Sequence, residues 1–202
     1  DGNLDVEITR RSNDEVGVLA QSLKETAHEL KKRIDYINNL AYVDELTGMK
    51  NSTAYWQEVS RLKESGENNY AVAVIDLNGL KQINDMFGHH CGNELIITMS
   101  KMITDVFGYE NAYRAGGDEF IVMGTVNSEK EVRDYWTAVE AEVEKYNQKN
   151  DKKAQLSFSY GYDVFKMSAS TYLEECIKVT DEKMYQNKKQ KKLARAEQLK
   201  EN

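Results

Sequence analysis

The chain has no proline and only two cysteines in 202 residues. Without proline nothing forces a helix to stop, so helices are free to run long. Two thiols, Cys91 and Cys176, cannot build a disulfide framework and read as reduced cysteines of a cytosolic protein. Long hydrophobic runs are missing as well: no stretch approaches the roughly 20 apolar residues that cross a bilayer. With no secretory leader expected, the chain as given reads as soluble. Basic charge is in deficit, Lys+Arg 27 against Asp+Glu 34 for a net charge of -7, which argues against general nucleic-acid binding. A hydrophobic content of 40% is enough for one ordinary core with an appendage, not for two.

What is present begins with a helical stripe. Ser12 or Asn13 can cap a helix whose first turn carries Asp14 and Glu15, where negative charge suits the helix dipole. Apolar or neutral residues then recur at Val16, Leu19, Leu23, Thr26, Leu30, Ile34, Ile37 and Ala41. This is heptad spacing with one extra step of four between Leu30 and Ile34, a stutter that locally unwinds a coiled coil. A helix of about 26 residues would be roughly 39 Å long. It has nothing within itself to cover the seam, which predicts a parallel dimer; the alternative is a single amphipathic helix folded back on its own domain.

Two acidic sites follow. Arg114-Ala115-Gly116-Gly117-Asp118-Glu119-Phe120 lies between two short strand-like runs, Asn111 to Arg114 and Phe120 to Met123. The glycines therefore fall where a hairpin reverses and positive φ is needed. Taken alone, Gly-Gly followed by acids also describes an ordinary solvated turn. Upstream, Tyr70 to Asp76 reads as a buried strand ending in a carboxylate, and binding groups tend to lie beyond strand ends. If that strand neighbours the hairpin, Asp76 and Asp118 converge and repel one another. A magnesium ion would relieve the repulsion and bring phosphate with it.

Gly116 to Phe120, Asp44-Glu45-Leu46-Thr47-Gly48-Met49-Lys50-Asn51, the run Asp76 to Asp85 and Gly88-His89 together resemble the GGDEF family of diguanylate cyclases. The resemblance covers about residues 41 to 192. It implies an α+β fold: a central, mostly antiparallel sheet flanked by helices, similar to the palm of class III nucleotide cyclases, behind an N-terminal coiled-coil helix. Its activity would be condensation of two GTP molecules to cyclic dimeric GMP and pyrophosphate. It also implies that Asp76, the Leu77 carbonyl and Asp118 ligate Mg2+, or Mn2+ in its place, and that Asp118 or Glu119 assists proton removal. Gly79, Leu80 and Lys81 would face the phosphates, Asn84 and Asn93 the guanine, and Lys188 and Lys192 the phosphates again.

The segment Asn13 to Ala20 resembles the second half of a HAMP linker. The expected organisation is a HAMP-like remnant and dimerising helix over 1–41, a catalytic domain over 42–192 and a tail over 193–202. The whole would be the cytoplasmic output of a receptor anchored in the membrane upstream of residue 1.

Four departures from the family pattern stand out. Ser52 follows Asn51 where arginine is common, which weakens an ion pair at the junction. Asn93 replaces an aspartate that would accept two guanine hydrogens. Phe107 and Glu110 stand where many members carry the Arg-x-x-Asp that grips the inhibitory product, so no inhibition of that type is expected. Lys191 and Lys192 replace glycine and arginine. Asn93 and Lys192 motivate a second reading, a catalytically weak or inactive domain that senses nucleotide; a pure dimerisation module is the third.

The remaining pattern is bland. His89, His90 and Cys91 are adjacent and cannot wrap one zinc ion, so they read as a turn before a helix to about Phe107. Ser128 caps a helix from Glu129 to about Lys149 with Trp136 in the core. Ala154 to Tyr162 reads as a strand, and a last helix runs from about Ala169 into Lys188 to Lys192.

Overall fold

The computed structural model describes residues 15–62, 68–149, 154–167 and 173–201. The chain divides into two compact units, Asp1–Val43 and Asp44–Asn202.

In the first unit, α1 spans Glu15–Tyr42, 28 residues, about 42 Å of helix. Val16, Leu19, Leu23, Leu30, Ile34 and Ile37 are all exposed along it. Leu19, Ser22, Leu23, Thr26, Ala27 and Leu30 line a groove on the helix surface. Val18, Tyr36 and Leu40 are exposed too, so the apolar surface is wider than the heptad stripe alone. The proposed cap at Ser12 or Asn13 lies outside the described residues. On the polar side Arg33 pairs with Glu29 one turn back, at 2.7 Å.

The second unit runs β1 (Lys50–Asn51), α2 (Ser52–Leu62), β2 (Asn68–Leu77), α3 (Leu80–Phe87), α4 (His89–Phe107), a 3-10 turn at Tyr109–Asn111, β3 (Ala112–Gly116), β4 (Glu119–Thr125), α5 (Glu129–Lys149), β5 (Phe158–Met167) and α6 (Leu173–Glu201). The sheet order is β1-β3-β4-β2-β5. Among the described residues only β1 against β3 is parallel, so the sheet is mixed and mostly antiparallel, flanked by helices.

Successive strand side chains point to opposite faces, and this sorts the core. Ala71, Ala73, Ile75 and Leu77 of β2 join Phe120, Val122 and Phe158 in a cluster closed by Leu95, Met99 and Ile103 of α4 and Val132, Trp136 and Val139 of α5. The alternate residues Tyr70, Val72, Val74 and Asp76 are buried on the other face. Both faces being covered, β2 reads as an almost continuous apolar run. On β5, Phe158, Tyr160 and Tyr162 stack along Trp136, the nearest ring centroids being 4.1 Å apart.

Four elements differ from expectation. β5 starts at Phe158 rather than Ala154 and continues to Met167. The side-chain amide of Asn147 both donates to Leu156 O and accepts from Leu156 N, each at 2.8 Å, so that backbone is satisfied before the ladder begins. β1, at two residues, is too short to leave a periodic signal. His89, His90 and Cys91 open α4 directly instead of forming a turn. The expected start of the last helix at Ala169 lies outside the described residues, and α6 runs on to Glu201.

Candidate active site

The site forms where β2 ends beside the β3–β4 turn. In the antiparallel register Asp76 stands directly opposite Glu119, and Leu77 N donates to Asp118 O at 3.0 Å. Gly117 reverses the chain with a left-handed φ of 47°, where a β-carbon would be strained. Asp76 and, more than 40 positions later, the adjacent Asp118 and Glu119 thus collect at one edge of the sheet. Like charges directly opposite on adjacent strands are unfavourable, and burial adds to the cost. Burial raises the Asp76 carboxyl above its ordinary value, with Asp118 and Asp181 adding to the rise and Lys188 opposing it. Burial raises Glu119 in the same way, reinforced by Asp76, Asp118 and Asp181.

The counter-charge comes from α6. Lys188 Nζ donates to Asp76 Oδ1 at 2.6 Å, with Asp76 only 6% exposed. α6 is held close to the sheet because Gly161 has no side chain: a β-carbon there would sit 2.2 Å from Thr180 O and 2.3 Å from Met184 N. Asn187 and Lys191, either side of Lys188, bind β5 through Tyr160 N at 3.3 Å and Phe158 O at 2.8 Å. Burial lowers the Lys191 ammonium below its usual value, and it lies over the Phe158 ring at 4.8 Å. A lysine where the family has glycine is accommodated as a sheet anchor.

The loop beyond Asp76 is braced from Ser157, just before β5, and from Ser159 on it. Asn78 N donates to Ser157 O, its Nδ2 to Ser157 Oγ, and its Oδ1 accepts from Ser159 Oγ, at 2.8, 3.1 and 2.9 Å. Gly79 then takes a left-handed φ of 71° and opens α3 without a side-chain cap, so the first amides of the helix are offered to an anion. Leu80 packs against the core. Lys81 and Asn93 are exposed, and Asn84 is half-buried. Among the described residues Asn84 Oδ1 has no hydrogen-bond partner, and it fits only because position 92 is glycine: a β-carbon there would be 2.0 Å away. Lys192, one turn past Lys188, is exposed. The structure therefore brings Asp76, Leu77, Asp118, Glu119 and Lys188 together, and sets Gly79 to Asn84 on the adjoining loop and helix.

Among the described residues, no three His, Cys, Asp or Glu side chains are close enough to hold a metal unaided. The donors at the strand end are hard oxygens, two carboxylates and a backbone carbonyl. That set suits a small divalent cation that keeps water and takes its other ligands from phosphate.

Sequence reasoning missed two features. Asp181, seven residues before Lys188 on α6, adds a fourth negative charge that reaches Asp76 and Glu119; its spacing from Lys188, two helical turns, could have signalled it. The second is Arg114, whose Nη1 binds both oxygens of Asp44 at 2.8 and 3.0 Å. The junction ion pair that Ser52 was expected to weaken is made by Arg114 instead, and Asn51 Oδ1 caps α2 by accepting from Ala54 N at 3.1 Å. At the positions of the missing inhibitory motif, Phe107 packs on Tyr135 and Trp136, and the Glu110 carboxylate pairs with Lys50.

A profile of the family described as "Diguanylate cyclase, GGDEF domain" matches residues 41–193. The chain belongs to the GGDEF family. It is 30% identical to the diguanylate cyclase DgcN of Escherichia coli over 186 residues, 90% of this chain and 44% of that protein. It is 32% identical to the Escherichia coli diguanylate cyclase DosC over 66% of this chain and 29% of that protein. The chain thus spans less than half the length of these relatives. Among solved structures, the coiled coil and GGDEF domain of DgcB from Caulobacter crescentus, crystallised with c-di-GMP, superposes with a TM-score of 0.72 at 21% identity, covering 86% of this chain and 94% of that one. The fold is therefore that of GGDEF domains. Among the described residues no helix is long and apolar enough to cross a membrane.

Proposed function

We propose that this chain is a diguanylate cyclase unit that condenses two GTP molecules to cyclic dimeric GMP with release of two pyrophosphates. The observation that carries the reading is the meeting of Asp76, Asp118 and Glu119 at one sheet edge in a GGDEF-family chain. Asp76, the Leu77 carbonyl and Asp118 would hold Mg2+ or Mn2+, which when bound supplies charge neutralisation for the triphosphate and the departing pyrophosphate. The amides at Gly79 and Leu80 with Lys81, Lys188 and Lys192 would bind phosphate oxygens. Asn84 and Asn93 would orient the guanine. Asp118 or Glu119 would accept the proton of the ribose 3′-hydroxyl as it attacks the α-phosphate of the other GTP.

One protomer holds half of this arrangement, so two must face each other. The exposed apolar side of α1 supports pairing through that helix, with a second copy as the partner that its heptad spacing fits. The stutter between Leu30 and Ile34 would offer two packings of similar energy, and the signal would select between them. The stimulus would arrive from a receptor segment, HAMP-like and membrane-anchored, preceding residue 1.

Incubating the purified chain with GTP and Mg2+ should yield cyclic dimeric GMP, and Asp118→Ala should remove turnover while leaving the circular dichroism spectrum unchanged. Absence of product at protein concentrations that drive dimerisation would reject the reading. The neutral amide at Asn93 favours a second one, a nucleotide sensor without turnover; GTP binding by calorimetry with no product would establish it instead.

A further inference from the structure

Lys188 does more than stand near the phosphate site. Its ammonium sits 2.6 Å from Asp76 Oδ1, on the carboxylate that a divalent cation would need. Among the described residues it faces Asp76 from β2 and Glu119 from the hairpin, and Asp118 and Asp181 act in turn on those two carboxylates. Its backbone cannot drift, because Asn187 and Lys191 on either side are bonded to β5. Its side chain is 40% exposed, so the four-carbon stem is free to swing while the helix stays in place. An ammonium is a compact point charge with three donors and readily exchanges one anionic oxygen for another.

We propose that Lys188 is a tethered cation that competes with divalent metal for Asp76, so that the site takes a metal–triphosphate complex and turns away the bare ion. This rests on the cyclase reading of the same site. A bare ion must break a short charge-assisted bond and then leave the ammonium beside a dication with no anion to move to. A metal–triphosphate complex brings its own phosphate oxygens for Lys188, so the exchange conserves the number of ion pairs. Metal and nucleotide binding are then coupled, and by linkage each strengthens the other by the same factor.

The test uses Mn2+ as the probe, with free Mn2+ followed by electron paramagnetic resonance on the whole chain without nucleotide. Removing the competing bond in Lys188→Met should tighten binding of Mn2+ alone by about ten- to a hundredfold. Lys188→Gln should do the same, while Lys189→Met, which removes an exposed charge next door, should leave it unchanged. Adding Asp76→Asn to Lys188→Met should abolish the gain. Equal or weaker Mn2+ binding in both Lys188 variants, or the same gain in Lys189→Met, would overturn the proposal. If the gain appears but the wild type forms no cyclic dimeric GMP, the competition stands and the cyclase reading falls; product without the gain has the opposite meaning.

Discussion

Arg114 reaches across 70 positions to bind both carboxylate oxygens of Asp44, and with Nε and Nη2 it holds the carbonyl of Gly117 at 3.2 and 2.7 Å. Asp44 is the first residue after Val43, where the second unit begins, and Gly117 directly precedes Asp118. One guanidinium thus ties the first residue of the second unit to the turn that carries the acidic residues. Asp44 is fastened further by Thr47, whose N and Oγ1 donate to it at 2.9 and 2.6 Å.

Arg114→Ala should cost about 1.5–3 kcal/mol, because it strips a charged partner from Asp44 and two donors from Gly117. Urea denaturation measures it; a change below about 0.5 kcal/mol, the scale of an ordinary surface substitution, would show that the link carries no stability. Arg114→Lys should recover little of the loss, since an ammonium cannot bridge both groups as a fork does. Turnover should fall along with stability.

The same pair shapes the acid limb of stability. Burial alone would raise the Asp44 carboxyl, but the hydrogen bonds from Thr47 and Arg114 outweigh it and hold the group below its ordinary 3.8. A depressed carboxyl stabilises the fold fully above 3.8, and that stability is lost as pH falls through the lowered value. Asp44→Asn should therefore be less stable than the wild type near neutrality, with the gap closing below 3.8. A gap independent of pH would remove the electrostatic account.

Gly161→Ala should push α6 away from β5, since the added carbon meets backbone atoms on three residues of the helix, Thr180, Lys183 and Met184. Overpacking of this kind costs about 1–3 kcal/mol. Because α6 carries Lys188, nucleotide affinity should fall as well, which calorimetry with a non-hydrolysable GTP analogue would detect. Unchanged stability would mean the helix has room that the geometry denies it.

Asn93→Asp should tighten GTP binding by roughly ten- to a hundredfold, the worth of one restored charge-assisted hydrogen bond. The exposed position near the start of α4 makes a folding effect small. No change in affinity would place the guanine contact elsewhere.

Cyclic dimeric GMP added to the reaction should not inhibit through the surface around residue 107. Phe107 is engaged with Tyr135 and Trp136, their ring centroids at 5.3 and 5.0 Å, and Glu110 with Lys50. Inhibition that persists at saturating GTP, and that is lost on Glu110→Ala, would contradict this.

Much was legible beforehand because its cause is local. The long α1 follows from spacing at the helical period, with no proline to interrupt it. The hairpin at Gly116 and Gly117 follows from what a reversing chain demands of its backbone, and both take positive φ. Asp76 at the end of an apolar run marks itself as a strand-edge carboxylate. The resemblance to the GGDEF family rests on the same short stretches.

Tertiary structure decided the rest. Asp76 meets Lys188 over a separation of 112 positions, and that depends on the register of β2 against β5 and on α6 docking where Gly161 leaves room. Arg114 finds Asp44 only because β1 pairs with β3, an association two residues long that no periodicity reveals. Asp181 becomes part of the site only once α6 packs along β5. Sequence alone named most of the ionisable groups at the acidic edge, since each belongs to a short motif. Which charge neutralises which is set by distances between elements that are remote in the chain, and only the assembled sheet determines those.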